Sequence, residues 1–525
     1  MRPQSGVLDC GFPFRSAREA VVLIRKQIQG RIINSWLIII TILGAVISVA
    51  DGLTRATIDW DVALLQPLDY EPDHAAFLLA LVTLPLMVAY AKRARISLAE
   101  GLFLWFTFCT AAYMRDFSYL RLPGVPLFVT DVLLVVMLLS IYLLPGWRRL
   151  PTPLSLVLFL AFFMAAGMLS ALRGFWGHGN SLLVLRDSAL IVYALFLLIG
   201  YHLFRSWLSI KRLAVWFLLG SALSVLTGLA WFVVAPEQKR FVFPGIYVLI
   251  SLIVVLMMLS NRIIRPHVGW VFAGVFSLGL LLANARSLFV SLGIVFAMVL
   301  LVPRLLRRKI RLVSLLTTLI IAAVLSCSLA LLFFNMRAGR DFTIRVTDDL
   351  TSGVLHSEED PYWQFRLSAW KEAWKRFEEY PPAGEGFGIP FVSEIWDNDA
   401  RPHNTFLTVL YKMGLIGFIP LVTLICYFFW RVSAALHRHR KKRFALFLQV
   451  ACAVQISLCL YGMANFVLES PHLASLFWAA MGVDLRMIRM LDLEQSLRNR
   501  VSSARADRPL AESRWPVEQE LKHLA

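Results

Sequence analysis

The chain is short of charge and short of cysteine, and each shortage rules something out. Only 16% of its 525 residues are charged while 58% are hydrophobic, and soluble domains carry about a quarter charged residues. An arrangement of soluble domains is therefore excluded, and a polytopic membrane protein is expected. The six cysteines, Cys10, Cys109, Cys327, Cys426, Cys452 and Cys459, lie almost wholly in apolar runs, and the polar stretch 335–404 has none. A disulfide-stapled lid and a zinc site both lack the ligands they would need. The net charge of +18 could suggest nucleic acid, but the basic residues fall in short clusters between apolar runs, where they report topology. Anionic lipid or phosphate is the expected counterion, and nucleic acid is not an expected partner.

What is present is a succession of apolar segments. A span takes about 20 residues, and about fourteen such segments recur. They cover 35–50, 75–91, 98–114, 125–144, 154–171, 181–200, 213–234, 242–260, 268–283, 287–303, 312–334, 405–430, 444–462 and 473–489. The fold class expected is all-α, a polytopic integral membrane helical bundle with one large, partly helical loop outside the membrane. Basic clusters at Lys92, Arg93 and Arg95, at Arg304 to Arg311, and at Arg438 to Arg443 alternate with the spans as cytoplasmic loops do, which puts both termini inside. The chain then divides into a cytoplasmic segment 1–34, eleven spans over 35–334, an outside loop 335–404, three spans over 405–489 and a cytoplasmic tail 490–525. The first span follows a segment too long for a cleaved leader, so Ser48-Val49-Ala50 is taken as part of a retained signal anchor. No inverted repeat of the transporter kind is visible.

The outside loop is too long to lack structure. Within it Trp363, Leu367, Trp370, Trp374 and Phe377 follow 4, 3, 4, 3 spacing, one apolar stripe of a helix. Pro381-Pro382 ends that helix. Its Trp-rich, basic character suits the headgroup interface, and equally a lid packed on protein. Gly384, Gly386 and Gly388 follow, permitting close backbone approach or simple turns.

Where the loop meets the next span stands Arg401-Pro402-His403-Asn404. A neutral imidazole there could take a proton from a hydroxyl at neutral pH, and Asn404 could cap the helix or orient a ligand. Arg186 lies about 7–8 Å inside its span, placed to grip a phosphate, to snorkel or to pair with an acid. Arg286 opens a span after a tight hairpin, on the same outer side as Arg186 and His403. Lys412, two turns into its span, is expected to snorkel, with a role in holding phosphate as the alternative. Two Asp-x-Asp pairs, Asp59/Asp61 and Asp397/Asp399, compete as divalent metal ligands.

Taken together, the long late loop, His403-Asn404 followed by Gly414 and Gly417, the Arg366-to-Gly388 stretch ending Pro-Ala-Gly-Glu-Gly-Phe-Gly, and Arg286 at its hairpin resemble the O-antigen ligase and Wzy polymerase superfamily of bacterial membrane glycosyltransferases. The resemblance covers roughly residues 180 to 430. It implies inverting transfer, without metal or cofactor, of a glycan from an undecaprenyl-pyrophosphate carrier at the periplasmic face of the inner membrane. The acceptor would be a lipid A core or another lipid-linked glycan. On this resemblance Arg186 and Arg286 bind pyrophosphate, His403 is the base, and Arg366 and Arg401 are secondary contacts. The alternatives are a lipid-linked glycan flippase or other transporter, and a metal-dependent transferase using an Asp pair.

Overall fold

A computed structural model describes residues 17–55, 74–121, 127–143, 152–177, 179–234, 245–260, 263–283, 287–294, 361–391, 401–439 and 445–506. Among these residues there is no strand, only an isolated bridge between Arg121 and Phe128. The protein is a helical membrane bundle. Its helices are α1 (Ala17–Arg55), α2 (His74–Ala94), α3 (Leu98–Ser118), α4 (Val129–Leu143), α5 (Leu154–Trp176), α6 (Ser181–Asp187), α7 (Ala189–Val192), α8 (Phe196–Leu203), α9 (Trp207–Val234), α10 (Ile246–Ser260), α11 (Pro266–Ala283), α12 (Pro361–Glu379), α13 (Thr405–Arg438), α14 (Ala445–Gly462) and α15 (Pro471–Ala506).

Seven of the fourteen expected spans fall on helices long and apolar enough to cross a bilayer, at 35–54, 74–94, 154–176, 181–203, 207–233, 266–283 and 405–438. Three more fall on the shorter apolar helices at 129–143, 246–259 and 447–462. Those at 98–114 and 473–489 lie on α3 and α15. The span at 312–334 and most of 287–303 lie outside the described residues.

With lipid on both sides, helices gain little from apolar burial and associate through close packing of small residues. α8 and α15 show this directly: a Cβ on Gly200 would strike the Ala479 carbonyl, and one on Gly482 the Leu197 carbonyl. α1 packs on α9, α9 on α3, and α5 on α13. One continuous core joins them, with Trp216, Trp478, Phe108, Phe163 and Phe196 fully enclosed.

α13 is interrupted. Gly414 has φ 59° and ψ −163°, a conformation essentially confined to glycine, and it breaks the helical ladder about two turns below the N-terminus. The polar groups so released must find partners. They find them in the glycine-rich loop after α12: Glu385 N–H donates to the Tyr411 carbonyl (2.8 Å), Gly386 N–H to the Lys412 carbonyl (3.1 Å), and Leu415 and Ile416 N–H to the Pro381 and Pro382 carbonyls (2.9 and 3.0 Å). A Cβ on Gly384 would collide with the backbone of Lys412 and Gly414. The loop is thus threaded into the break. Phe387 N–H extends the lock to the Ser170 carbonyl of α5, and Asn180 N–H to the Gly388 carbonyl.

The Trp-containing segment is helical as its spacing predicts, and it ends at Glu379, before the prolines. Its stripe is nevertheless divided. Ala369 and Ala373 are fully buried with Tyr411 and Phe391, and Phe377 and Leu407 pack beside them. Trp363, Leu367 and Trp374 are exposed. The close approach of α12 to Tyr411 requires small side chains at the contact, so the alanines take it and the bulkier edge turns away.

Candidate functional site

α13 begins at Asn404, whose side-chain Oδ1 accepts from the N–H groups of Phe406 and Leu407, both at 3.1 Å. An asparagine cap satisfies two of the donors a helix start leaves free. The cap fixes His403 immediately before it, at φ 49°, a left-handed conformation that histidine tolerates better than most residues. The ring sits 4.3 Å from that of Phe466 and 6.0 Å from that of Phe365. Its Nδ1 has no hydrogen-bond partner among the described residues. Burial, and then the charges of Arg366 and Arg401, push its pKa down to about 4.

The backbone on either side is pinned. Trp370 Nε1 of α12 donates to the Pro402 carbonyl at 2.8 Å. Thr405 Oγ1 accepts from Val467 N–H at 2.6 Å and donates to the Asn465 carbonyl at 3.1 Å, which ties the start of α13 to the loop between α14 and α15. That loop carries Glu469, buried, 3.8 Å from Arg401 Nη1. Burial raises the Glu469 pKa against the opposing pull of Arg401.

Below this lies a second set of buried charges. Lys412 is 3% exposed and its Nζ donates to Asp187 Oδ2 at 2.6 Å, so it does not snorkel as the sequence suggested. The same carboxylate oxygen accepts from Gly388 N–H at 3.0 Å. Arg376 reaches Glu372 Oε1 (2.9 Å), Glu385 Oε2 (3.3 Å) and the Pro390 carbonyl (3.1 Å), with its guanidinium 4.8 Å from the Phe391 ring centre. Glu385 is pushed up to about 7 by burial, with Arg376 opposing. Arg173 Nη1 holds the carbonyls of Ala383 and Gly384 at 3.0 and 2.8 Å.

Of the residues expected from sequence, His403, Asn404, Arg401 and Arg366 come together at the start of α13. Arg186 stays on the exposed side of α6, while its neighbour Asp187 faces inward to Lys412. Arg286 and both Asp-x-Asp pairs lie outside the described residues. Asp187, Glu469, Arg173 and Arg376 were not picked out as site residues. For Asp187, Arg173 and Glu469 the available signal was an ionisable residue in or beside an apolar run; Arg376, on the polar loop helix, carried none.

Residues 271–422 match a family model described as O-antigen ligase. Over this segment the chain is similar to the O-antigen ligase family. The segment takes in α12, the threaded loop, Arg401, His403, Asn404, Lys412 and Gly414. Asp187, Arg173 and Glu469 belong to the cluster but lie outside the matched ligase segment. No curated protein matches the chain.

Proposed function

We propose that the protein is a membrane glycosyltransferase of the O-antigen ligase or polymerase type. It moves a glycan from a polyprenyl-pyrophosphate carrier such as undecaprenyl pyrophosphate to an acceptor hydroxyl at the periplasmic face of the inner membrane. The observation that carries this reading is the setting of His403, a half-buried imidazole whose Nδ1 has no hydrogen-bond partner among the described residues, beside two arginines. Without substrate it is a weak base, because burial and Arg366 and Arg401 disfavour the imidazolium. A pyrophosphate drawn to those arginines would offset their charge and raise the basicity of His403 when the donor is in place.

In the reaction so proposed, the acceptor oxygen attacks the donor sugar at its anomeric carbon. The bond from that carbon to the pyrophosphate oxygen breaks, the electron pair leaves with the pyrophosphate, and the hydroxyl proton passes to His403. Attack from the face opposite the leaving group inverts the configuration. Arg366 and Arg401, with Arg186 and Arg286 as further pyrophosphate ligands, stabilise the charge growing on the leaving group, work that elsewhere falls to a divalent metal. The acceptor is a sugar of a lipid A core or of another lipid-linked glycan.

The test is product formation by purified protein in proteoliposomes supplied with donor lipid and acceptor, with and without EDTA. His403→Ala is expected to lower turnover by about 10²–10⁴-fold, with EDTA without effect. Full activity in a folded His403→Ala protein overturns the base assignment, and loss in EDTA restored by Mg²⁺ overturns the metal-independent reaction.

A further inference from the structure

α12 has apolar residues on two adjoining sides, and among the described residues its buried core contacts come from one of them. The inner side, Ala369 and Ala373 with Phe377, meets Phe391, Leu407 and Tyr411. The adjoining edge holds Trp363, Leu367 and Trp374, exposed at 37, 38 and 49%. At 100° per residue these three project within about 40° of one another. The next sector around the helix holds Lys371 and Lys375, both exposed, with Glu378 between them and the edge at the last turn. Of the acids on this helix, Glu372 is paired with Arg376, while Glu378, which accepts from Trp374 Nε1, and Glu379 keep their charge at the last turn.

The height of this edge follows from the threaded loop. α12 rests on Leu407 and Tyr411, about one turn above the break at Gly414. The loop leaving α12 meets α5 at Ser170 and Arg173, within the last two turns of that span. α12 therefore lies at the boundary of the apolar zone at this end of the bundle. Other elements expose aromatic rings at the same level: Phe175 (48%) and Trp176 (77%) at the end of α5, and Tyr380 (51%) just after α12. Aromatic side chains gather where hydrocarbon meets headgroups, so the edge of α12 continues a belt that other helices already form. An apolar edge flanked by lysines matches a bilayer surface in both polarity and charge.

We propose that α12 is an interfacial helix that docks on anionic phospholipid of the surrounding bilayer. Trp363, Leu367 and Trp374 enter the upper acyl layer, and Lys371 and Lys375 meet lipid phosphates. Trp370 joins the same helix to Pro402, and Arg376 joins it to the threaded loop. Bilayer contact thus sets the height of the backbone that carries His403. This consequence rests on the function proposed above; the docking itself does not.

The experiment uses the full-length protein in nanodiscs containing phospholipid brominated near the headgroup, in either phosphatidylcholine or phosphatidylglycerol. The difference in tryptophan emission between the wild type and a Trp363→Phe/Trp374→Phe variant isolates the two edge rings. That difference is expected to be quenched strongly by shallow brominated lipid and weakly by aqueous acrylamide. Brominated phosphatidylglycerol should quench at lower mole fraction than brominated phosphatidylcholine, by roughly fivefold for each lysine, and Lys371→Gln/Lys375→Gln should remove the preference. Acrylamide quenching without lipid quenching overturns the docking, and equal quenching by both lipids overturns the anionic partner. Single Trp363→Phe and Trp374→Phe variants give the same readout should the double variant fail to fold. None of these signals depends on transferase activity, so their failure is distinct from failure of the transfer reaction.

Discussion

Lys412 Nζ and Asp187 Oδ2 lie 2.6 Å apart, both enclosed by protein, and join α13 to the end of α6. Removing one partner leaves the other charged and buried, which costs about 3–5 kcal/mol, whereas replacing both with apolar groups of similar size is often tolerated. Lys412→Met and Asp187→Leu are each expected to lower the thermal midpoint in detergent sharply. The double variant should recover most of the loss. Because Asp187 also accepts from Gly388, Asp187→Leu should be the more damaging of the two single changes.

Gly414→Ala places a side chain at φ 59°, ψ −163°, where the Cβ would meet the backbone of Pro382, Ala383 and Gly384. Backbone strain of this kind costs about 1–3 kcal/mol, and the overlap adds to it. The expected result is a lowered unfolding midpoint together with faster proteolysis between α12 and α13. Wild-type resistance to proteolysis would show that the loop is not held by the break.

The imidazole of His403 titrates near 4 when folded and near 6.5 when unfolded. Between those values the unfolded chain binds the extra proton, so this residue makes the fold less stable as pH falls from about 6.5 towards 4. Denaturation of wild type and His403→Gln at pH 7 and pH 5 measures it. The wild type should lose more stability across that interval than the variant.

Glu385 has the opposite sign. Its carboxyl titrates near 7 in the fold against 4.5 for an ordinary glutamate, so the folded protein holds the proton through that interval and stability falls as pH rises through it. Glu385→Gln mimics the protonated form. Its thermal midpoint relative to wild type should rise between pH 5 and pH 8, and a difference independent of pH would refute the assignment.

Local signals in the sequence located local structure. Asn404 before an apolar run marks a helix start, the paired prolines mark the stop of α12, and hydropathy marks the bundle. The position of His403 at the head of α13 follows from the same signals. Long-range pairing left no such trace. Asp187 and Lys412 are 225 residues apart, Asp187 reads locally as the neighbour of Arg186 and Lys412 as a lone charge in a span, and only the packing of α6 against the threaded loop makes them partners. The three alternate glycines announced close backbone approach without saying to what, and in the fold they approach protein. The division of the Trp stripe was illegible for a related reason: periodicity finds an apolar face, but which part of it packs depends on the small residues beside it.

The threaded loop also imposes an order on assembly. Residues 381–388 leave the ribosome before residues 411–416, to which they bond, and α5 is made before either. The loop must be in place against α5 for α13 to settle, because four backbone groups of α13 around Gly414 have no helical alternative once the break forms. His403 acquires its surroundings only at that closing step. A chain that stops short of α13, or in which α13 packs before the loop is in place, would have a bundle without a site.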